Sequence, residues 1–261
     1  MEKRSILTTL QKYRVLVLIV GVLLFTGCGG EFTEINESST GTFNQYIVYP
    51  FSLLIKWIAG NIYGSYGLSI IIITIVLRMI ILPFMINQQR QGQLTQEVMK
   101  KIKPEMDTIQ EKYKSKNAID MQLKMQEELS DLYKKYDFNP IKTVTGCLPM
   151  LIQMPFIIGF YYAIRRTPEI AEQSFLWFSL GEVDILIALI AMLTYYIQAR
   201  VSLIGMEQDT NGPMAIMVYL SPIMIGVMSF VMPAALPLYW TIGGLFMIVQ
   251  TIIIKKHVLK T

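Results

Sequence analysis

The chain has 261 residues, 53% of them hydrophobic and 16% charged, with a formal net charge of +4. Soluble domains average about 25% charged residues, and here the apolar residues gather into runs near the roughly 20 needed to cross a hydrocarbon core, which excludes a soluble fold. Two cysteines in unlike surroundings do not make a disulfide framework.

The first element reads as a processing signal. Lys3, Arg4, Lys12 and Arg14 form a basic region ahead of the apolar stretch Val15 to Phe25, too short for a span and suited to a signal h-region. It closes on Leu24-Phe25-Thr26-Gly27-Cys28, which resembles the bacterial lipobox with Phe25 in place of the usual leucine. The expectation is a signal peptide over residues 1–27 and a diacylglycerol on Cys28. The alternative is an uncleaved short anchor with a spare cysteine, and either puts the following residues outside the cytosol. Gly29 to Thr42 is small, polar and acidic, and reads as a flexible tether. Part of Phe43 to Ile58, with Lys56 and Trp57, reads as an amphipathic helix lying along the outer surface. Residues 28–62 thus form an extracytoplasmic region, and residues 63–261 the core.

Five spans are predicted: about Tyr66 to Ile86, Thr143 to Ile164, Val183 to Leu203, Pro213 to Val231, and Leu236 to Ile254. Between the first two lies the one large polar region, residues 87–139. Its Arg90 and nine lysines place it in the cytosol by the positive-inside rule. Lys255, Lys256 and Lys260 fall on that same side after four more crossings. Arg165 and Arg166, at the outer end of the second span, are expected as headgroup anchors. Within the loop, Leu94, Val98, Ile102, Met106, Ile109 and Tyr113 make one helical stripe, and Met121, Met125, Leu129, Leu132 and Tyr136 another. Two such stripes predict an antiparallel helical hairpin, either a spacer or a docking element. Pro104 should kink or restart its first arm.

Arg78 breaks the hydropathy of the first span. An arginine at that depth costs roughly 2.5 to 3.5 kcal/mol on insertion scales. The inner end of the span is about 13 Å further along at the helical rise, roughly twice what an arginine side chain covers by snorkelling. The one Asp or Glu within the five spans is Asp184, at the outer rim of the third. The remaining solution is a hydrated cavity among the helices, to which Thr74, Gln153 and Gln198 could contribute polar groups. Such a pocket attracts an acidic group from elsewhere; the competing reading is a structural arginine satisfied by backbone carbonyls.

Several motifs in order then resemble the YidC membrane-protein insertase family: Tyr66-Gly-Leu-Ser69 leading to Arg78 and Pro83, Gly146 to Tyr161 around Gln153, Phe175-Leu-Trp-Phe178, and Pro233 to Trp240. The resemblance runs from about Tyr46 to Lys255, and the lipobox with so small an extracytoplasmic region is similar to the Gram-positive branch. It implies an all-α membrane protein whose five helices enclose a hydrophilic groove, open to cytosol and lipid. It also implies that Arg78, Gln198 and Trp240 line that groove, and that the cytosolic hairpin is a flexible element contacting substrates or targeting factors. The implied partners are nascent membrane proteins and the bilayer, with a Sec translocon, the ribosome and signal recognition particle components as further candidates. The implied location is the bacterial plasma membrane, with a lipid-anchored N-terminus outside and the C-terminus in the cytosol. Only Lys255 to Thr261 stand where some relatives carry a long basic tail, which puts tail-mediated ribosome docking in doubt. No cofactor, metal or nucleotide hydrolysis is expected, nor direct nucleic-acid binding: the spans hold no Asp pair and no histidine, and the chain has no P-loop. A small-anion transporter and a passive assembly scaffold are the rival classes.

Overall fold

The computed structural model describes residues 34–113, 119–138, 148–204 and 213–258. The signal segment, Cys28 and Cys147 lie outside the described residues. A π-helical turn, Asn44–Val48, runs into α1 (Tyr49–Asn61), followed by α2 (Tyr66–Tyr113), α3 (Ile119–Lys135), α4 (Leu148–Arg165) and the short α5 (Pro168–Ala171). A two-residue antiparallel pair, β1 (Ser174–Phe175) and β2 (Phe178–Ser179), precedes α6 (Ile185–Leu203), α7 (Pro213–Ser229) and α8 (Ala235–Val258). The chain divides into two compact units, Met1–Met79 with Gln153–Thr261, and Ile80–Ile152. The molecule is thus mostly helical. Among the described residues, α2, α6 and α8 are long and apolar enough to cross a membrane, and Tyr219–Ser229 is a shorter apolar helix.

In the first unit, polarity is turned inside out. On α2, Leu68, Ile72, Val76 and Met79 are exposed, whereas Ser69, Ile70, Ile73 and Thr74 are buried. On α8, Leu245, Val249, Ile252 and Ile253 are exposed, whereas Thr241, Gln250 and Thr251 are buried. Exposed apolar stripes of this length would be untenable in water; facing acyl chains they are what a spanning helix needs. Buried hydroxyls close locally, each donating to the carbonyl four residues back: Thr74 to Ile70, Thr194 to Ile190, Ser229 to Ile225 and Thr241 to Pro237. The middle of the unit is α6, packed against both α7 and α8. Gly226 of α7 admits Met192, and Gly244 of α8 admits Thr194 and Tyr195. Small residues at helix contacts let backbones approach where no hydrophobic effect drives association.

The ends of these helices are tied by a dense set of hydrogen bonds. The Gln173 amide donates to the Gly64 carbonyl at 2.9 Å and accepts from Tyr66 N–H at 2.7 Å, satisfying an orphan donor of α2. Asp184 caps α6 by accepting from Ile187 N–H. Ala234 and Ala235 donate to the carbonyls of Glu182 and Leu180. Helix α1 buries Ser52, Ile55 and Ala59 along one face, continuing Val48 of the π-helical turn, and exposes Leu53, Leu54 and Trp57. It is fixed by Ser52 to Thr167 at 2.8 Å and by the ion pair of Lys56 with Glu169 at 2.8 Å.

Three expectations change here. Arg166 is only 5% exposed and donates to Asn44 at 2.7 Å, so it is a packed crosslink rather than a headgroup anchor, while Arg165 is exposed. The supposedly loose tether is pinned at its middle: Ile35 is buried, and its N–H donates to the Arg166 carbonyl. Lys255 is not tail but the last turns of α8, its ammonium donating to the carbonyls of Val201, Ser202 and Ile204 at 2.6 to 2.9 Å. These carbonyls stand at the C-terminal end of α6, where intrahelical donors run out and a cation also complements the helix dipole.

In the second unit, Glu105 receives Lys135 and Tyr136, and Glu128 receives Lys112 and Tyr113. Glu105 precedes Lys112 along α2 whereas its partner Lys135 follows Glu128 along α3, so the two helices run antiparallel. Ile102 and Leu132 are buried in the seam; the stripe residues Val98 to Tyr113 are otherwise half-buried, and Leu94 is exposed. Helix α2 continues through Pro104 instead of restarting: one backbone bond is lost, while Ile102 and Met106 on either side remain seated, Met106 accepting from Tyr133.

Lys135 and Tyr136 hold the Glu105 carboxyl below the usual range, and Lys112 and Tyr113 do the same for Glu128; the two lysines are correspondingly raised. Depressed carboxylates stabilise above their unfolded values and lose that contribution as pH falls through the folded ones; raised lysines lose theirs as pH climbs through the folded values. Helix pairing should therefore be tightest between about pH 5 and about pH 10 and loosen at both ends. Spin-label distances between exposed positions 111 and 124 should be narrow in that window and broaden at about pH 3; a distribution unchanged by acid would disprove the contribution of these pairs.

Candidate functional site

Arg78 follows Thr74 by one turn, on the flank of α2's buried face. Its guanidinium lies directly on α8 at Gly243. A Cβ at that position would stand 2.6 Å from Nη2, 3.1 Å from Nε and 3.2 Å from Cζ. Any residue but glycine would therefore collide with the charged group. The next residue, Gly244, faces α6 and would meet Thr194 and Tyr195. The Gly243-Gly244 pair thus makes two clearances at once, one for a neighbouring helix and one for a cation. Glycine in a helix interior costs about 0.5 to 1 kcal/mol relative to alanine, and here that cost seats the arginine.

Around the guanidinium stand the hydroxyls of Tyr195 and Tyr239, both close enough to interact with it electrostatically and both in buried side chains. The Tyr239 ring packs on Phe160 of α4 at 5.6 Å. Arg78 Nε is buried and has no hydrogen-bond partner among the described residues. The same holds for the indole N–H of Trp240, in a side chain only 5% exposed, one turn before Gly243 on α8. No acidic residue occurs in the membrane-crossing part of any helix of this unit. The arrangement is a fixed positive charge and a spare N–H donor, with phenolic oxygens as the nearest polar company. It has no acid–base pair and no nucleophile–base pair, and among the described residues there is no cluster of metal-ligating side chains.

The other residues singled out from the sequence are distributed around this centre. Thr74 is fully buried, with its hydroxyl already satisfied. Gln198 lies one turn beyond Tyr195 on α6 and donates to Ser202, whose own hydroxyl donates back to the Gln198 carbonyl. Gln153 is half-buried on α4. Among the described residues no hydrogen bond joins either glutamine to Arg78. Residues the sequence reading passed over are Gly243, Tyr195 and Tyr239. The one available signal was two adjacent glycines inside a 24-residue apolar helix.

A Gly-to-Ala exchange in an unobstructed helix should stabilise by up to about 1 kcal/mol. Gly60 of α1, with open space around it, should show that gain in detergent melts. Gly243→Ala should destabilise, yet become neutral or stabilising in an Arg78→Ala background, a coupling of about 1 kcal/mol or more. Additive effects would mean that Gly243 does not seat the arginine.

The chain matches the sequence profile of the 60Kd inner membrane protein family over residues 57–261. It is 42% identical to the membrane protein insertase MisCB of Bacillus subtilis (strain 168), over 92% of this chain and 91% of that one. It is 44% identical to MisCA, a membrane protein insertase of the same organism, over 92% and 90% of the two chains. With the membrane protein insertase YidC 2 of Listeria monocytogenes serotype 4b (strain F2365) it shares 41% identity over 92% and 86%. Polarity turned inside out, helices of spanning length and a carboxylate-free arginine all belong to a protein that works within the bilayer. On the extent of these matches, the chain belongs to the 60Kd inner membrane protein family, whose curated relatives are membrane protein insertases.

Proposed function

We propose that Arg78, seated on Gly243, is the point at which this insertase receives the polar, outward-bound segment of a nascent membrane protein. The supporting observation is that, among the described residues, no carboxylate pairs with the guanidinium and its Nε lacks a hydrogen-bond partner. Burying a charge is tolerable only when it is paired or hydrated. A site with a fixed cation and no built-in anion is completed by an acidic or carbonyl-rich segment passing through. Attraction is stronger in that low-dielectric setting than in water. Tyr195, Tyr239 and the Trp240 N–H supply further polar contacts, and Thr74, Gln153 and Gln198 extend the polar lining. The substrate's apolar segment then moves into lipid, and its transfer from water drives the step. A membrane potential adds about 2.3 kcal/mol per charge per 100 mV. The protein itself hydrolyses no nucleotide.

The topology that goes with this reading has five spans, α4 and α7 joining the three longer helices. The paired helices of the second unit and the C-terminus lie in the cytosol, as the lysine distribution argues, and α1 lies along the outer interface with Trp57 and Leu53 toward lipid. The groove around Arg78 opens to cytosol and lipid, and a lipid on Cys28 tethers the mature chain outside. Substrate delivery by a ribosome, signal recognition particle components or a Sec translocon falls to the cytosolic face.

Reconstituted insertion of substrates with acidic or neutral translocated segments tests the role of Arg78. Arg78→Ala should lower insertion of acidic substrates about tenfold, the equivalent of 1.4 kcal/mol, with a smaller loss for neutral ones, and Arg78→Lys should recover most of it. Equal insertion of acidic substrates by parent, alanine and lysine forms would refute charge pairing.

A further inference from the structure

The hairpin of β1 and β2 closes on Leu176 and Trp177, with Ser174 opposite Ser179 and Phe175 opposite Phe178. Of the two loop residues only Leu176 has a positive φ, +55°. A two-residue hairpin loop with that pattern ordinarily carries glycine at the first position. A leucine there takes up a backbone region that L side chains avoid, and in water it gains nothing in return, for its side chain is 72% exposed. Trp177 beside it is 50% exposed. The base of the hairpin, by contrast, is fixed. Phe178 is buried, and Phe175 lies over Gly67 of α2 so closely that a Cβ there would overlap the ring.

The tip is also held at a definite level. Trp177 donates its indole N–H to Asp184 Oδ1 at 3.3 Å, the same oxygen that caps α6 by accepting from Ile187 N–H at 2.9 Å. Helix α6 is long and apolar enough to span, so its capped N-terminus lies where the hydrocarbon ends. Val183, Ile185, Leu186 and Leu189 continue the exposed apolar surface from the tip onto the helix.

We infer that Leu176 and Trp177 form a membrane-dipping tip, in contact with the upper acyl chains and headgroups of the leaflet at the N-terminal end of α6. Trp177 takes the amphipathic position that tryptophan favours at interfaces, ring toward lipid and N–H toward a polar acceptor. Leu176 explains itself once lipid covers it: burial of its side chain offsets the backbone cost. The tip and the exposed face of α1 then give the first unit two interfacial contacts.

The test is tryptophan quenching by brominated lipids in bilayers holding the full chain, with the Trp177→Phe variant subtracting Trp57 and Trp240. The Trp177 component should be quenched by about twofold or more, and most by lipids brominated near the headgroup end of the chain. Leu176→Gly, which suits the backbone better, should melt in detergent no earlier than the parent and yet lose part of that quenching. An unquenched, red-shifted Trp177 component would place the tip in water and overturn the inference. An unquenched but blue-shifted one would show a protein surface over it, a second copy or a nascent chain, and overturn it equally. Quenching unchanged in Leu176→Gly would remove Leu176 from the contact.

Discussion

A single constraint organises the first unit: a guanidinium must be held within an apolar bundle without a carboxylate. Coulomb attraction to a carboxylate cannot hold it, because the membrane-crossing parts of the helices of this unit carry no anion. Shape holds it instead. The missing Cβ of Gly243 leaves a seat on α8, and Gly244 beside it draws α6 close enough to bring Tyr195 alongside. Because Gly243 meets the guanidinium and Gly244 meets Thr194 and Tyr195 of α6, the geometry of the charge and the packing of the helices are one problem. Lys255 closes the far end of the same pair by donating to three terminal carbonyls of α6. The result is a positioned cation with phenolic oxygens beside it and, among the described residues, no carboxylate and no partner for Nε.

Much of this was legible in the chain. Helix positions follow from apolar runs and from local caps such as Asp184, both short-range signals. The paired stripes of the second unit were readable because a 3.6-residue period survives among many charges, and Ile102 and Leu132 are buried as that period requires. Arg78 stood out because hydropathy makes it an anomaly. The rest was hidden for physical reasons. Gly243 belongs with Arg78 only through a contact between helices remote in sequence, and glycine carries no chemistry of its own to advertise it. Lys255 and Arg166 were assigned by their place along the chain. The positive-inside rule counts such charges but cannot see that a backbone carbonyl or Asn44 takes them up. At Pro104 the lost backbone bond predicts a kink or a restart, and side-chain packing carries the helix through without a restart.

Membership of the insertase family and the geometry of the unit meet on the same requirement. A protein that passes polar segments across a bilayer needs a polar locus that water or substrate can enter, carried on helices whose outer faces remain at home in lipid. The exposed stripes of α2, α6 and α8 meet the second condition, and the hydroxyls bonded back to their own helices meet it from within. Locally satisfied threonines add polarity to the interior without demanding partners from neighbouring helices, so α2, α6 and α8 need not be crosslinked by polar bonds to be stable. Apart from the Lys255 bonds at one end, α6 and α8 meet across small residues such as Gly244, a contact that yields more readily to a passing chain than a hydrogen-bond network would.

The knot of bonds at the N-terminal ends of α6 and α8 bears on permeability. There Ala234 and Ala235 donate to Glu182 and Leu180, while Ile170, Phe178, Leu180 and Leu236 are almost wholly buried. Backbone groups paired in this way, with side chains packed around them, would oppose the passage of a proton or an ion at this level. Such a plug would let a charged site exist inside a coupling membrane without short-circuiting it. Because a dry, low-dielectric layer takes most of the voltage drop, a thin seal beyond Arg78 would also concentrate the field on whatever acidic group arrives there.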